Sequence, residues 1–192
     1  MFNIDKEFVE RLKEEGYDLW TISLWEKWLP ESKRIPEAIE RIRVAFRDVK
    51  LGDGIGLLEA NGMDDYANET ELAQLRKFDE RDSWKNIEPF EYGQHNFTPG
   101  YFDAAGFVFH LPGFLIAELT DEIDVDFIER IIERKPKSKT WFDLLTCSQA
   151  KSLVFTLSIV KKHPYYFDAI AKFDHAISRL TEIVTAAGDA ID

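Results

Sequence analysis

Apolar residues recur every three or four positions along most of the chain, the spacing that places them on one face of an α-helix. This pattern predicts one helix over residues 5–15 and a second, short and mostly buried helix over residues 17–29, which is apolar nearly all round. Two prolines stand where the pattern resumes: Pro36 begins a third helix, and Pro164 begins the last one. The sequence therefore predicts a mainly α protein.

Short sequence boxes of the type that caps a helix N-terminus mark further helices. The box that begins at Asn68 predicts a helix to about Phe78, and the box that begins at Thr146 predicts another. Thr120, followed by two acidic residues, predicts a third start. The last two are followed by apolar residues at helical spacing, so each of those helices is expected to bury one face.

Residues 97–119 are predicted to form the centre of the core, because they are aromatic-rich and almost uncharged, with Pro112 at their centre. Periodicity does not distinguish helix from strand over residues 101–110, where apolar side chains occur on all sides. Thr98-Pro99 is a good helix start and favours helix. We expect five side chains of this segment to be buried: Phe107, Phe109, Leu111, Phe114 and Leu115.

The same segment is long enough to span a membrane, but its composition argues against that. Asp103, His110, Pro112 and Glu118 interrupt it. A helix in contact with lipid would be destabilised by each charge and by the backbone groups that the proline leaves unbonded. A buried core segment fits better, and we expect no membrane partner.

The helical pattern stops in residues 50–66, where glycines and aspartates cluster. Gly54-Ile55-Gly56 lacks the third glycine and the preceding strand of a dinucleotide-binding loop, so it is interpreted as a plain loop. Residues 79–96 are predicted to be irregular apart from one turn. The fold class that follows is mainly α, a single compact helical domain over residues 1–192, with room for a short β-hairpin or an irregular segment between residues 50 and 120.

Charge and cysteine content limit the binding partners and the cellular location that we expect for this protein. The chain has 36 acidic and 24 basic residues, so a basic footprint for nucleic acid or anionic lipid is missing. An acidic surface suits a soluble protein or the partner of a basic protein. Cys147 is the one cysteine, which rules out an internal disulfide, and the N-terminus does not resemble a signal peptide. We therefore expect a reducing, cytoplasmic location.

Half of the net negative charge comes from residues 53–82, which carry nine acidic and three basic side chains. Three interpretations stay open: a solvated acidic loop, a docking face for a basic protein, or a carboxylate site for a metal ion or for acid–base chemistry. The pattern of a calcium-binding loop is not present. The acidic residues are Asp53, Glu59, Asp64, Asp65, Glu69, Glu71, Asp79, Glu80 and Asp82.

The histidines do not form a recognisable site. No pair of them is three or four residues apart, so a helical zinc site is unsupported and no metal or cofactor is predicted. His110 lies in the apolar segment and is expected to be a hydrogen-bonded structural histidine. Asp168, His175 and Glu182 recur at seven-residue spacing, which is typical of a polar stripe. Cys147 falls in the first turn of a predicted helix, with no base identified beside it.

Four segments carry a resemblance to a known family: residues 54–67, 78–84, 102–119 and 142–149. Together they resemble a family of small bacterial proteins of unknown function, whose members carry a Phe/Tyr-x-Leu-Pro-Ala-Phe/Tyr-Leu core followed by a Leu-Leu-Thr/Ser-x-x-Gln helix start. Here the core reads Phe-His-Leu-Pro-Gly-Phe-Leu, with Gly113 in place of the usual alanine, a minor departure. The similarity covers about residues 36–163. It implies a bacterial origin and supports the predicted core, and it implies no activity.

Three functions are compatible with these features. The first is a protein-binding module with a basic partner, most concretely an immunity-type protein that neutralises a toxin or an enzyme. The second is a hydrolase or metal-dependent enzyme that uses Asp64, Asp65, Asp79, Glu80 and His110, which would have to converge in one pocket. The third is a structural subunit of a larger assembly.

Overall fold

The computed structural model describes residues 1–124, 126–133 and 140–188, and it confirms the mainly α prediction. It is 71% helical, and the described residues contain ten α-helices and no strand. The α-helices are α1 (Lys6–Glu14), α2 (Leu19–Ser32), α3 (Ile35–Ala45), α4 (Leu57–Asp64), α5 (Glu69–Phe78), α6 (Pro89–Gln94), α7 (Ala104–Leu119), α8 (Phe127–Glu133), α9 (Cys147–Val160) and α10 (Ile170–Ala186). Short 3₁₀ turns lie at Trp84–Asn86, Thr98–Gly100, Trp141–Leu144 and Pro164–Ala169.

The capping residues act as the sequence predicts at α5 and α9. Asn68 and Glu71 form a complete capping box at α5, and Thr146 and Gln149 form one at α9. Thr120 does not start a helix, because α8 begins only at Phe127. Each confirmed start depends on hydrogen bonds between residues three apart, which is why the sequence alone could locate it.

Between residues 50 and 120 no hairpin forms, and the chain folds into helices and turns instead. Helix α6 lies within residues 79–96, which were predicted to be irregular. It starts with Pro89 at its first position, and Glu88 and Glu91 complete a capping box. The helix has only six residues, too short for a hydrophobic period to show in the sequence.

Helix α7 starts later than predicted. Thr98–Gly100 is a 3₁₀ turn, and the cap is Asp103, whose Oδ1 accepts from the amide of Gly106 at 2.8 Å. The same oxygen accepts from the amide of Ile55 at 3.1 Å, so the glycine loop is fastened to the helix N-terminus. A Cβ at Gly106 would lie 2.2 Å from the Ile55 carbonyl oxygen, so glycine permits this approach.

The core surrounds α7, as predicted. All five predicted core residues of this helix are at most 1% exposed. The Phe127 ring of α8 stacks on those of Phe114, at 4.8 Å between centroids, and Phe107, at 5.4 Å. Helix α7 also packs against α3 and α6, while α9 packs between α3 and α10. Together these contacts make a single compact helical domain.

Exposed apolar side chains occur at the start of α2, which was predicted to be mostly buried, and around the start of α10. On α2, Leu19 and Trp20, the first two residues of the helix, are 85% and 57% exposed. At the start of the predicted last helix, Phe167 and Ile170 are also exposed, because Pro164–Ala169 is a 3₁₀ turn and α10 begins after it. In the described part of the chain, no helix has the length and apolar character needed to cross a membrane.

Candidate functional site

Two of the nine predicted acidic residues have structural roles in the interior. Glu59 is fully buried and forms a two-point ion pair with Arg76, whose Nε donates to Glu59 Oε2 at 2.8 Å. Asp79 accepts from the amide of Leu58 at 2.7 Å and so caps α4. Its carboxyl occupies the space beside Gly56, where a Cβ would lie 2.1 Å from Asp79 Cγ. Burial raises the pKa of Asp79.

Other members of the acidic set bond to nearby groups. Glu80 accepts from the side chain of Asn86 at 3.0 Å, which lowers the pKa of Glu80, and from two backbone amides. Asp64 accepts from the Tyr101 hydroxyl at 2.8 Å, and Asp82 pairs with Lys50 at 3.2 Å. The members that lie exposed to solvent are Asp53, Asp65, Glu69, Glu71 and Asp82.

His110 does not join these carboxylates. It is fully buried, its ring stacks on Phe102 with centroids 4.6 Å apart, and Phe109 and Tyr92 approach it edge-on. Within the described residues both ring nitrogens lack a hydrogen-bond partner, so the predicted burial is correct and the predicted hydrogen bonding is wrong. Burial lowers the pKa of His110 to about 3, so the ring is neutral.

Four of the groups proposed for an enzyme have separate local partners. Asp79 and Glu80 bond to backbone amides, Asp64 to a tyrosine, and His110 lies among aromatic rings. Over the residues that the structure describes, no group of three or more His, Cys, Asp or Glu side chains is arranged to hold a metal ion.

A large cleft instead opens on another part of the molecule. It lies among the N-terminal segment, α1, α2, the loop after α7 and the turn that begins at His163, and its volume is about 820 Å³. A volume of this order suits a small ligand or an anchoring side chain. The lining residues are Met1, Phe2, Phe8, Trp20, Thr21, Leu24, Trp25, Glu118, Asp121, Glu122, Ile123, Asp124, Asp126, His163, Pro164, Tyr165 and Tyr166.

Aromatic rings form much of the wall of this cleft. Phe8 and Trp25 meet edge to face with centroids 4.9 Å apart, which joins α1 to α2. Trp20 and Tyr165 stand at 57% and 62% exposure. Aromatic faces carry a negative quadrupole, so a wall of this kind attracts cations as well as apolar groups.

Glu118, in the last turn of α7, is the buried acid of the cleft, with 6% exposure. Its Oε2 accepts from the amide of Ile128 at 2.9 Å, and its Oε1 lies 3.4 Å from the Tyr166 hydroxyl. Burial raises the pKa of Glu118 to about 7, and the charge of Asp126 acts in the same direction. A carboxyl with a pKa near neutrality in a cleft is typical of a functional site.

The loop after α7 holds further carboxylates in unusual backbone conformations. Asp121 and Asp126 have φ values of 61° and 43°, the left-handed region that non-glycine residues seldom adopt. The Asp121 carboxylate accepts from the amide of Phe2 at 2.9 Å and pairs with the Met1 amine at 3.2 Å. These bonds fasten the N-terminal segment beside the cleft. Strained conformations of this kind cluster at binding and active sites.

His163 completes the attachment of the N-terminal segment. Its Nδ1 accepts from the amide of Tyr165 at 3.2 Å, which leaves the proton on Nε2 to bond the Met1 carbonyl at 2.8 Å. Its ring packs on Phe2 and Trp28, each with centroids 4.8 Å away. Burial lowers the pKa of His163 to about 4, so this histidine adds no positive charge to the cleft.

Sequence reasoning did not identify the cleft. The sequence showed Glu118 only as a charge inside an apolar segment. An acidic residue in a helix that is predicted to be buried was the one sequence feature that could have indicated the cleft. Trp20 and His163 carry no local pattern that marks them, because their partners are far away in the sequence.

A family model described as a family of unknown function (DUF6714) matches residues 35–179, about three quarters of the chain. The chain belongs to the DUF6714 family. This confirms the predicted resemblance to a family of unknown function. No curated protein and no solved structure matches the chain.

The extent of the DUF6714 match divides the cleft in two. Glu118, the loop after α7 and the turn at His163 lie inside the matched range. The aromatic residues Phe2, Phe8, Trp20 and Trp25 lie before it. The buried acid thus belongs to the DUF6714 region, and α1 and α2 add part of the aromatic wall.

Proposed function

We propose that the protein is a protein-binding module that holds a basic partner on the surface around the cleft. The observation that carries this proposal is a group of exposed aromatic side chains at the cleft, here called the aromatic patch. The aromatic patch consists of Trp20, Tyr165 and Phe167, which are 46–62% exposed.

The aromatic patch is continuous with the cleft. Trp20 and Phe167 meet edge to face with centroids 5.1 Å apart, and Trp20 and Tyr165 both line the cleft. Trp and Tyr dominate the energetic centres of protein interfaces, and contiguous apolar patches on a surface mark interaction sites. The composition of the patch therefore supports contact with another protein.

Charge supports a basic partner. Five carboxyl residues line the cleft, and among the described lining residues none is Lys or Arg. The whole chain has a formal net charge of −12. Electrostatic complementarity speeds association with a basic surface and disfavours acidic competitors. An immunity-type role, in which the protein covers and neutralises a basic toxin or enzyme, is the concrete form that we propose.

The test requires a purified partner, identified first by affinity capture and then measured directly. Calorimetry would compare the wild type with Trp20→Ala and Phe167→Ala. We expect each change to weaken binding by tenfold or more, as is typical of aromatic residues at the centre of an interface. Phe78→Ala is the matched control, because Phe78 is 77% exposed and lies on α5, which does not line the cleft.

Two results would contradict the proposal. One is unchanged binding by both patch variants together with lost binding by Phe78→Ala, which would move the interface to α5. The other is a wild type that self-associates in light scattering and becomes monomeric on Trp20→Ala. That second result would assign the patch to a second copy of the chain and favour the structural-subunit role.

A further inference from the structure

We infer that the cleft is a binding site for an organic ammonium group, with Glu118 as its counter-ion, and that Glu118 releases its proton to solvent when the cation binds. The inference rests on the proposed function, because a lysine side chain of the basic partner is the source of ammonium that this function supplies. A free alkylammonium compound carries the same chemistry, so the two sources are separated by experiment.

The cleft has acids without matching cations. Glu118, Asp121, Glu122, Asp124 and Asp126 line it, and the cationic group among the described lining residues is the Met1 amine. That amine pairs with Asp121 at 3.2 Å. His163 is neutral because burial lowers its pKa to about 4. Among the described lining residues, a cation that enters therefore meets carboxylates, and the positive group that it meets is the paired Met1 amine.

The aromatic wall selects a cation that carries apolar surface. Trp20, Trp25, Tyr165 and Phe8 offer ring faces and edges to the cleft. A cation over an aromatic face is attracted by the ring quadrupole, most strongly where water is excluded. An ammonium group on an alkyl chain satisfies both parts of the site, since its methylene groups contact the rings and its charge approaches the acid.

The Glu118 carboxyl is placed to act as the counter-ion of such a ligand. Its Oε2 accepts from the Ile128 amide at 2.9 Å and the Phe127 amide also bonds the carboxyl, whereas the contact between Oε1 and the Tyr166 hydroxyl is long, at 3.4 Å. Because this carboxyl lines the cleft, the positive charge of a bound ammonium group can approach it, and opposite charges attract more strongly where water is excluded.

The titratable groups near Glu118 help to explain why this carboxyl is mostly protonated below pH 7 when no cation is bound. Asp121, Glu122, Asp124 and Asp126 come from the loop after α7, and the charge of Asp126 adds to burial in raising the pKa of Glu118. His163, Tyr165 and Tyr166 come from the turn that begins at His163. All three are neutral at pH 7, because burial lowers the pKa of His163 and the pKa values of both tyrosines are raised. A bound cation reverses this balance, so the carboxyl ionises and its proton passes to the buffer.

The experiment uses choline and its uncharged analogue 3,3-dimethyl-1-butanol, which share one shape and differ in charge. Calorimetry of the wild type at pH 6.5 in two buffers of different ionisation enthalpy counts the protons released on binding. We expect choline to bind with release of up to one proton and the alcohol to bind at least tenfold more weakly. Because the pKa of Glu118 is about 7, choline affinity should rise nearly tenfold per pH unit below 7 and level off above it.

Two variants test whether Glu118 is the group that releases the proton when choline binds. Glu118→Gln keeps the hydrogen bond to the Ile128 amide and should weaken choline binding, abolish proton release and remove the dependence on pH. Glu40→Gln is the matched control, because Glu40 is an exposed carboxyl on α3 that does not line the cleft, and it should leave choline binding and proton release unchanged. Equal binding of choline and the alcohol by the wild type would overturn the inference, as would choline binding without proton release.

A competition experiment with a peptide distinguishes a lysine side chain from a free compound as the source of the ammonium group. It also distinguishes failure of the cation inference from failure of the proposed function. A Lys-containing segment of the purified partner should displace choline, and replacing its lysine with norleucine should prevent this. If choline and the segment do not bind while Trp20→Ala still weakens the intact partner, the cation inference is wrong and the proposed function stands. If choline binds with proton release while the segment fails to displace it, the ammonium source is a free compound. That result would overturn only the lysine assignment.

Discussion

Burial of the Glu118 carboxyl makes the stability of the folded protein depend on pH. The pKa of Glu118 is about 7 in the folded protein, against an ordinary value of 4.5, chiefly because burial disfavours its charged form. The folded state therefore holds this proton more tightly than the unfolded state. This tighter proton binding adds to the free energy of unfolding. The contribution is fully present below pH 4.5, falls as the pH rises towards 7, and is lost above pH 7.

We predict that Glu118→Gln removes this dependence. Relative to the wild type, the variant should gain on the order of 3 kcal/mol in free energy of unfolding between pH 4.5 and pH 7, because the amide that replaces the carboxyl has no proton to lose. Urea denaturation across this range measures the difference. Glu122→Gln, at an exposed carboxyl, should run parallel to the wild type. Parallel curves for Glu118→Gln and the wild type would show that Glu118 is ionised in the folded protein throughout.

Residue roles that depend on distant partners could not be predicted from the sequence. The acidic run was visible, yet nothing in it showed that Glu59 pairs with Arg76 or that Asp79 caps α4. Gly113 was interpreted as a minor departure from the family pattern, but a Cβ there would lie 2.2 Å from the Tyr92 hydroxyl oxygen. The exchange with alanine is therefore coupled to the position of the Tyr92 ring.

At the scale of elements, local signals predicted most of what formed. Capping boxes at Asn68 and Thr146 and the apolar periods of α1, α3 and α9 specify helices from residues close in sequence. The exposed end of α2 and the short α6 were missed for different reasons. The face that a helix buries is decided by its neighbours, and a six-residue helix is too short to show a period.

Helix α7 offers the clearest stability prediction, because aromatic rings from several elements meet on it. Phe114 is fully buried, stacks on Phe127 and packs on Tyr92 at 4.5 Å between centroids. Phe114→Ala should lower the free energy of unfolding by about 3–5 kcal/mol, since a large cavity would remain. Phe97→Ala, at a ring that is 65% exposed, should change it by less than about 0.5 kcal/mol. Urea denaturation that gives equal values for the two variants would contradict the central position of α7.

Across the whole molecule, negative charge is spread over two surfaces that differ in shape. Carboxylates around the cleft lie among aromatic rings that line a concave site, where a partner can be held by close contact. The exposed acids of residues 53–82 lie on loops and short helices outside the cleft, on the same stretch as the exposed rings of Tyr66 and Phe78. We propose that this second surface acts on the approach of a basic partner, because charge steers association over distances that contact residues do not reach.

We predict that Asp53→Asn, Asp65→Asn and Glu69→Gln, combined in one variant, slow association with the basic partner and flatten its dependence on salt. These residues are exposed, so the fold should be intact, whereas changes at Glu59 or Asp79 would remove a buried ion pair or a helix cap. Salt screens such attraction beyond about 8 Å at physiological ionic strength, so the effect should be largest at low salt. Stopped-flow association rates, measured at a series of salt concentrations, test this prediction.

The comparison variant, Glu122→Gln with Asp124→Asn at the cleft, should also speed dissociation, because these carboxylates would contact the partner. Association rates and salt slopes identical to the wild type for the first variant would leave residues 53–82 as a solvated surface, with recognition confined to the cleft and its aromatic patch.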